Sequence, residues 1–253
     1  MPEPFSMRDK CIVITGASRG IGRGLALYFA EQGAHVAAVA RNLDQLKKLQ
    51  DEITSINGSC RVYQLDLRDV ATIPTVFGKI VKDFGQLDVL VNNAGMGKPI
   101  PALDISEADW DEMMSLNLKG SFFCAQAAAR HMLPRKFGRI VNISSQAATI
   151  AIDGETIYCA SKGGINQMTK VLALEWSKHG VTVNAVGPTF TYTPGTAERL
   201  DDPDFRAGVL ANIPRGRIGT IEDIARAVQF LAADTSDMVN GAFLLTDGGW
   251  TIV

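Results

Sequence analysis

Cysteine and histidine are scarce in this chain of 253 residues: Cys11, Cys60, Cys124 and Cys159 have no CxxC spacing, and His35, His131 and His179 stand far apart. That scarcity argues against a disulfide scaffold and a zinc-ligand cluster, so reduced, mostly buried thiols and no metal site are expected. There is no basic excess either, with 25 Lys and Arg against 27 Asp and Glu, and hence no electrostatic footprint for nucleic acid. No apolar run approaches the ~18 residues of a membrane-spanning helix. The first ten residues, Met1 to Lys10, lack the apolar core of a secretory signal, which makes the cytoplasm the expected compartment. Linkers, internal repeats and low-complexity tracts are missing too, so one domain over 1–253 is expected.

What the chain does contain is a regular alternation. Short apolar runs at about 11–15, 35–40, 61–65, 88–92, 139–144, 181–186 and 242–246 are separated by segments of helical length that mix apolar with charged residues. This pattern predicts an α/β fold, a doubly wound Rossmann architecture with a seven-stranded parallel sheet covered on both faces. Residues 187–220 break the alternation with Pro188, Pro194, Pro203 and Pro214. A connection of that length is usually functional, and it is read as a substrate lid.

Two constellations carry chemistry. Thr15-Gly16-Ala17-Ser18-Arg19-Gly20-Ile21-Gly22 follows the first strand. Gly16 suits the tight turn, Gly20 a close approach of backbone to pyrophosphate, and Gly22 close packing of the next helix, whose free N–H groups attract an anion. The second is Tyr158-Cys159-Ala160-Ser161-Lys162 with Ser145 thirteen residues upstream. On a helix Lys162 lies one turn from Tyr158, where a cation is expected to lower the phenol's usual pKa of ~10. A phenol, an ammonium and a hydroxyl together suggest proton transfer to a carbonyl oxygen.

With Asn92-Asn93-Ala94-Gly95, Asn117, Asn184-Ala185-Val186 leading to Pro188, and Asp247-Gly248-Gly249, these blocks occur in an order that resembles the short-chain dehydrogenase/reductase family over nearly the whole chain. The resemblance implies a nicotinamide cofactor and a catalytic set of Asn117, Ser145, Tyr158 and Lys162. Tyr158 would be the acid in reduction and the base in oxidation, Ser145 would hydrogen-bond the substrate oxygen, Lys162 would stabilise phenolate and bind the nicotinamide ribose, and Asn117 would support a proton relay. Cofactor contacts are expected from Gly16, Ser18, Arg19, Gly20, Ile21, Gly22, Arg41, Asp66, Leu67, Asn93, Gly95, Tyr158, Lys162, Pro188, Thr191 and Thr193. Asn92 is expected only to tie strands together.

The second strand ends in Ala40-Arg41 where an acid would hold a ribose 2′-hydroxyl, so NADP (NADPH) is expected over NAD. The chain departs from the family at Thr189, which follows Pro188 in place of glycine, and this puts the path of the lid in question. Met96, Gln146, Ile152, Asp153, Glu155, Phe190 and Tyr192 form an expected substrate wall with two acids and no arginine or lysine. Such a wall suits small neutral sugars, polyols or hydroxyketones. The expected activity is therefore NADP(H)-dependent interconversion of a small neutral carbonyl and its alcohol. One alternative is 3-oxoacyl-carrier-protein reduction, with Arg130, Arg135, Lys136 and Arg139 as a dock. Another, of a different class, is a catalytically silent nicotinamide-sensing module. The family also implies a homotetramer, in line with the apolar helices around Phe122 to Met132 and Ile165 to Trp176.

Overall fold

Seven strands, β1 (Cys11–Thr15), β2 (His35–Ala40), β3 (Ser59–Gln64), β4 (Val89–Asn92), β5 (Gly138–Ile143), β6 (Val181–Pro188) and β7 (Phe243–Thr246), form one parallel sheet in the order β3-β2-β1-β4-β5-β6-β7. These are features of a computed structural model that describes residues 4–252, so residues 1–3 and 253 of the expected domain lie outside the described residues. Each strand falls within two residues of the run that predicts it.

The helices are α1 (Gly20–Glu31), α2 (Leu43–Ser55), α3 (Ile73–Phe84), α4 (Glu107–Met114), α5 (Ser121–Met132), α6 (Thr156–Trp176), α7 (Ala197–Leu200), α8 (Pro203–Ala211) and α9 (Ile221–Ala232). Strands of a parallel sheet are covered on both faces, which is why their sequences are apolar without alternation. In β1, Ile12 and Ile14 enter one core with Leu25 and Phe29 of α1 and Ile224 and Val228 of α9. Cys11 and Val13 enter the other, with Phe77 and Ile80 of α3, Cys124 of α5 and Leu172 of α6. Helix starts are set locally: Asn42 caps α2 through Gln45 N–H, and Thr220 with Asp223 forms a reciprocal capping box at α9. The four cysteines are free, three of them buried. No helix among the described residues is long and apolar enough to cross a membrane.

The sheet order reverses between β1 and β4, and the loops after these strands diverge to leave a crevice at their carboxyl ends. Arg135 and Arg139 lie at the opposite, amino-terminal end of the strands, before and at the start of β5. Arg135 donates to Asp88 at 2.7 Å and to the Leu87 carbonyl at 2.8 Å, and the buried Arg139 guanidinium donates to backbone carbonyls including Gly138 at 3.0 Å. These two guanidiniums bind groups at the amino-terminal ends of β4 and β5, which removes them from the supposed carrier dock.

The segment after β6 stays extended at first. Thr189 N–H donates to Thr246 O at 3.4 Å, and Thr189 is not among the non-glycine residues with positive φ. The chain thus avoids a left-handed turn that threonine would resist and continues β6 before bending into α7 and α8. There Leu200, Val209 and Ile213 form a small core with Phe190, Phe205 and Trp250.

Candidate active site

Gly16 and Gly20 both adopt positive φ, 69° and 58°. A Cβ at Gly16 would stand 2.8 Å from Ala94 Cα, and one at Gly22 2.4 Å from both Asn93 Nδ2 and Gly16 O, so neither position admits a side chain. At Gly20 the nearest atom to such a Cβ is Thr193 Cβ at 3.7 Å, which leaves this stretch of backbone open toward the crevice. Thr193 therefore stands over the glycine turn. Arg19, exposed, precedes the first turn of α1 and has no side-chain cap contact.

Asn92 and Asn93 divide the work as predicted for Asn92 and less simply for Asn93. The Asn92 amide donates to Asn142 Oδ1 and to Ser121 O, both at 3.0 Å, and so links β4 to β5 and α5. The Asn93 amide donates to Thr15 O at 2.8 Å and Gly16 O at 3.4 Å, so it braces the glycine turn, while its backbone N–H and that of Ala94 donate to Thr15 Oγ1 at 3.0 and 3.1 Å.

Tyr158 and Lys162 lie one turn apart in α6, with Lys162 only 4% exposed. Its ammonium is 5.5 Å from the Tyr158 ring centre and donates to Ile143 O at 2.8 Å. The structure reverses the shift expected for the phenol. Burial pushes Tyr158 up to about 12 and Glu155's charge adds to this, against a Ser145 hydrogen bond that lowers it. Burial likewise brings Lys162 down to about 8. Desolvation outweighs the Ser145 hydrogen bond, so the phenol moves up.

Ser145 Oγ accepts Ala147 N–H at 3.1 Å and donates to Gln146 Oε1 at 3.1 Å. Ser144 points away, donating to Lys162 O at 3.3 Å, in keeping with the choice of Ser145. Asn117 is fully buried in a π-helical segment, Ser115–Gly120, between α4 and α5. Its amide splints Met96, accepting Met96 N–H and donating to Met96 O, both at 2.8 Å, and it donates to Ser161 Oγ at 3.1 Å. Asn117 Oδ1 and Lys162 Nζ converge on Gly95: a Cβ there would lie 3.2 and 3.6 Å from them.

At the far end of the crevice Ala40 closes β2 without an acid, and Arg41 beside it is exposed. A hollow of about 660 Å³ opens there between Arg41, Gln64, Asp66 and Thr72. Asp66 is held by Arg68, whose Nη2 is at 2.7 Å, and this pairing lowers its pKa. Arg41 Nη1 reaches Asp66 only at 4.0 Å, which leaves its guanidinium mostly uncommitted. Leu67 is buried: a Cβ on Gly120 would stand 2.9 Å from its Cβ and backbone oxygen, so its side chain packs inward. Pro188 ends β6, and Thr191 pairs with Gly219 and donates to Thr189 O at 3.1 Å.

The substrate wall differs from expectation in one respect. Asp153 faces solvent, but Glu155 is only 7% exposed, and Arg199 of α7 donates to its Oε1 at 3.3 Å. The wall thus contains a guanidinium after all, brought in by a helix 44 residues further along. Tyr192, half exposed, donates to Asp201 at 2.8 Å.

Comparison with known proteins fits this geometry. A family model described as enoyl-(acyl carrier protein) reductase matches residues 16–251. D-Threitol dehydrogenase of Mycolicibacterium smegmatis is 40% identical over 249 residues, 98% of this chain and 95% of the relative. NAD-dependent glycerol dehydrogenase of Listeria innocua is 39% identical, with 98% and 96% covered. The crystal structure of a gluconate 5-dehydrogenase from Burkholderia cenocepacia in complex with NADP and tartrate superposes with a TM-score of 0.95 at 32% identity, over 99% of this chain and 98% of that one. The chain belongs to the short-chain dehydrogenase/reductase family.

Three parts of this short-chain dehydrogenase/reductase escaped sequence reasoning. Thr15 organises the start of the Asn93 loop, and it sat in plain view as the first residue of the glycine turn. Arg68 neutralises Asp66 from two positions on, a spacing too common to notice. Arg199 has no sequence signal at all, because only the folding of 189–220 over α6 brings it to Glu155.

Proposed function

We propose that this short-chain dehydrogenase/reductase interconverts a small polyol or sugar and its carbonyl form with NADP(H). The observation that carries the reading is the meeting of Tyr158, Lys162 and Ser145 at the same rim as the open backbone of Gly20. The residues present fit a nicotinamide dinucleotide. Gly20 leaves space where a Cβ would stand clear, the first turn of α1 offers N–H groups to a pyrophosphate, and Gly95 leaves room beside Lys162. Gly16, Ser18, Arg19, Gly20, Ile21, Gly22, Asp66, Leu67, Asn93, Gly95, Pro188, Thr191 and Thr193 would hold it, with Leu67 and Asn93 contributing backbone. When bound, the nicotinamide supplies or takes the hydride.

In reduction Tyr158 gives its proton to the substrate oxygen, and its high pKa keeps that proton available at neutral pH. Ser145, oriented by Gln146 and Ala147, hydrogen-bonds the same oxygen. Protonated Lys162 limits the cost of the phenolate left behind, and Asn117 fixes the Met96 loop that shapes the floor. Arg41 and Arg19 would meet a 2′-phosphate, which favours NADP over NAD, although one relative is named as NAD-dependent. Residues 187–220 would act as the lid, the free thiols fit the cytoplasm, and exposed apolar residues on α6 fit a homotetramer.

The test is oxidation of D-threitol, glycerol and gluconate, and reduction of hydroxyketones and acyl thioesters, each with both cofactors. Faster turnover of polyols or sugars with NADP supports the reading. Preferred turnover of an acyl thioester, or none of any carbonyl, overturns it.

A further inference from the structure

Glu155 Oε1 is held by Arg199, but Glu155 Oε2 is buried without a hydrogen-bond partner. A buried carboxylate oxygen left unpaired is costly and calls for a donor. Its surroundings show where that donor would come from. A Cβ on Gly97 would lie 3.7 Å from Glu155 Oε2 and 3.5 Å from Tyr158 Cδ2. The free oxygen and the edge of the catalytic ring therefore both border the position that a side chain at residue 97 would take. Arg199 arrives from the other side, its guanidinium 4.4 Å from the Phe205 ring centre and 5.8 Å from that of Phe190. These rings belong to the small core of the 189–220 segment, so the ion pair joins that segment to the catalytic helix.

We propose that the Glu155–Arg199 pair is the specificity element of the site: Glu155 Oε2 accepts a hydroxyl of the substrate near the reacting carbon, and Glu155 cancels the Arg199 charge so that neutral polyols are taken ahead of sugar acids. The assignment rests on the polyol or sugar reading above. A hydroxyl supplies the donor the orphan oxygen lacks, and a site built around such a bond discriminates strongly against substrates without it. A sugar carboxylate near the same place meets the Glu155 charge, while its natural partner, Arg199, is already engaged. Removing the Glu155 charge turns this around, because it frees a guanidinium suited to a carboxylate.

The experiment compares kcat/KM for D-threitol and for gluconate in the wild type, Glu155→Gln, Arg199→Met and Gly97→Ala. Glu155→Gln is expected to raise the threitol KM at least tenfold and to raise the gluconate/threitol ratio of kcat/KM at least tenfold. Arg199→Met keeps the carboxylate and removes the guanidinium, so it should move that ratio down, the opposite way. Gly97→Ala places a methyl in ordinary contact with both Glu155 and Tyr158, and should raise the threitol KM while NADPH affinity holds. Threitol turnover with a ratio unchanged in both Glu155→Gln and Arg199→Met overturns this assignment alone. A wild type that turns over a different carbonyl class and neither of these substrates overturns the proposed function and this assignment with it.

Discussion

The Lys162 ammonium sits 5.5 Å from the centre of the Tyr158 ring yet spends its hydrogen bond on the Ile143 carbonyl. Acid and cation are thus neighbours, with the ammonium's hydrogen bond made elsewhere. Both are displaced by burial, the phenol up to about 12 and the ammonium down to about 8. Each shift has a measurable consequence.

If Tyr158 is the proton donor, Tyr158→Phe deletes one oxygen and little else. Turnover is expected to fall by about 10²–10⁴, the usual contribution of a positioned acid, with NADPH affinity near that of the wild type. Steady-state kinetics and fluorescence titration of NADPH measure the two. Substantial residual turnover in a folded variant would remove Tyr158 from its role.

Reduction requires Tyr158 protonated and Lys162 charged. The phenol keeps its proton well past neutrality, so the ammonium titrates first. Reductive kcat/KM should hold up to about pH 8 and decline above it, whereas oxidation should rise with pH as the phenol loses its proton. Lys162→Arg keeps a charge that does not titrate in this range and should abolish the break at pH 8. A wild-type profile flat through pH 10 would contradict the assignment.

The same shift has a sign for stability. Below pH 8 the folded chain bears the full cost of burying the Lys162 charge, and that cost is relieved as pH rises from about 8 toward the unfolded value of 10.5. Lys162→Met removes the charge and keeps the bulk. It should melt a few degrees above the wild type at pH 7, about 2–4 °C for each kcal/mol gained, with the gap narrowing by pH 10. A lower Tm for Lys162→Met at pH 7 would show that the bond to Ile143 outweighs the desolvation.

Much of this was legible in the sequence because its signals are local. Strand boundaries follow from apolar runs, the glycine turn from eight consecutive residues, and the Tyr158–Lys162 pair from one helical turn. What sequence could not reveal depends on distant parts meeting. The direction of the Tyr158 shift requires knowing how deep α6 lies, and Glu155's role hangs on Arg199 arriving with α7. Asn117 was legible as a position but not as a splint for Met96, because the π-helical turn that directs it inward has no pattern in Ser115 to Gly120.

Cofactor preference is expected to depend on the end of β2. Ala40 leaves that corner without an acid, and Arg41 is held only at 4.0 Å by Asp66, which Arg68 already neutralises. Ala40→Asp with Arg41→Leu should shift the NADP/NAD ratio of kcat/KM toward NAD by at least tenfold, since a carboxylate accepts a 2′-hydroxyl and repels a 2′-phosphate. An unchanged ratio would locate discrimination elsewhere, with Arg19 the next to vary.

Assembly is expected to run through the outer face of α6. Val171 and Leu174, three residues apart and so on one side of the helix, are 45% and 79% exposed. Large apolar side chains clustered in this way on a surface usually mark a contact between subunits. The wild type should scatter light as a particle of four chains at micromolar concentration. Val171→Asp with Leu174→Glu should reduce it to a smaller species, because each new carboxylate would meet its symmetry mate's apolar patch in a self-complementary interface. On a monomer the same two changes would cost at most about 0.5 kcal/mol each, the ordinary range for exposed positions, and leave the mass unchanged. A wild type that scatters as a single chain would overturn the tetramer. A double variant that remains four chains would move the interface off α6.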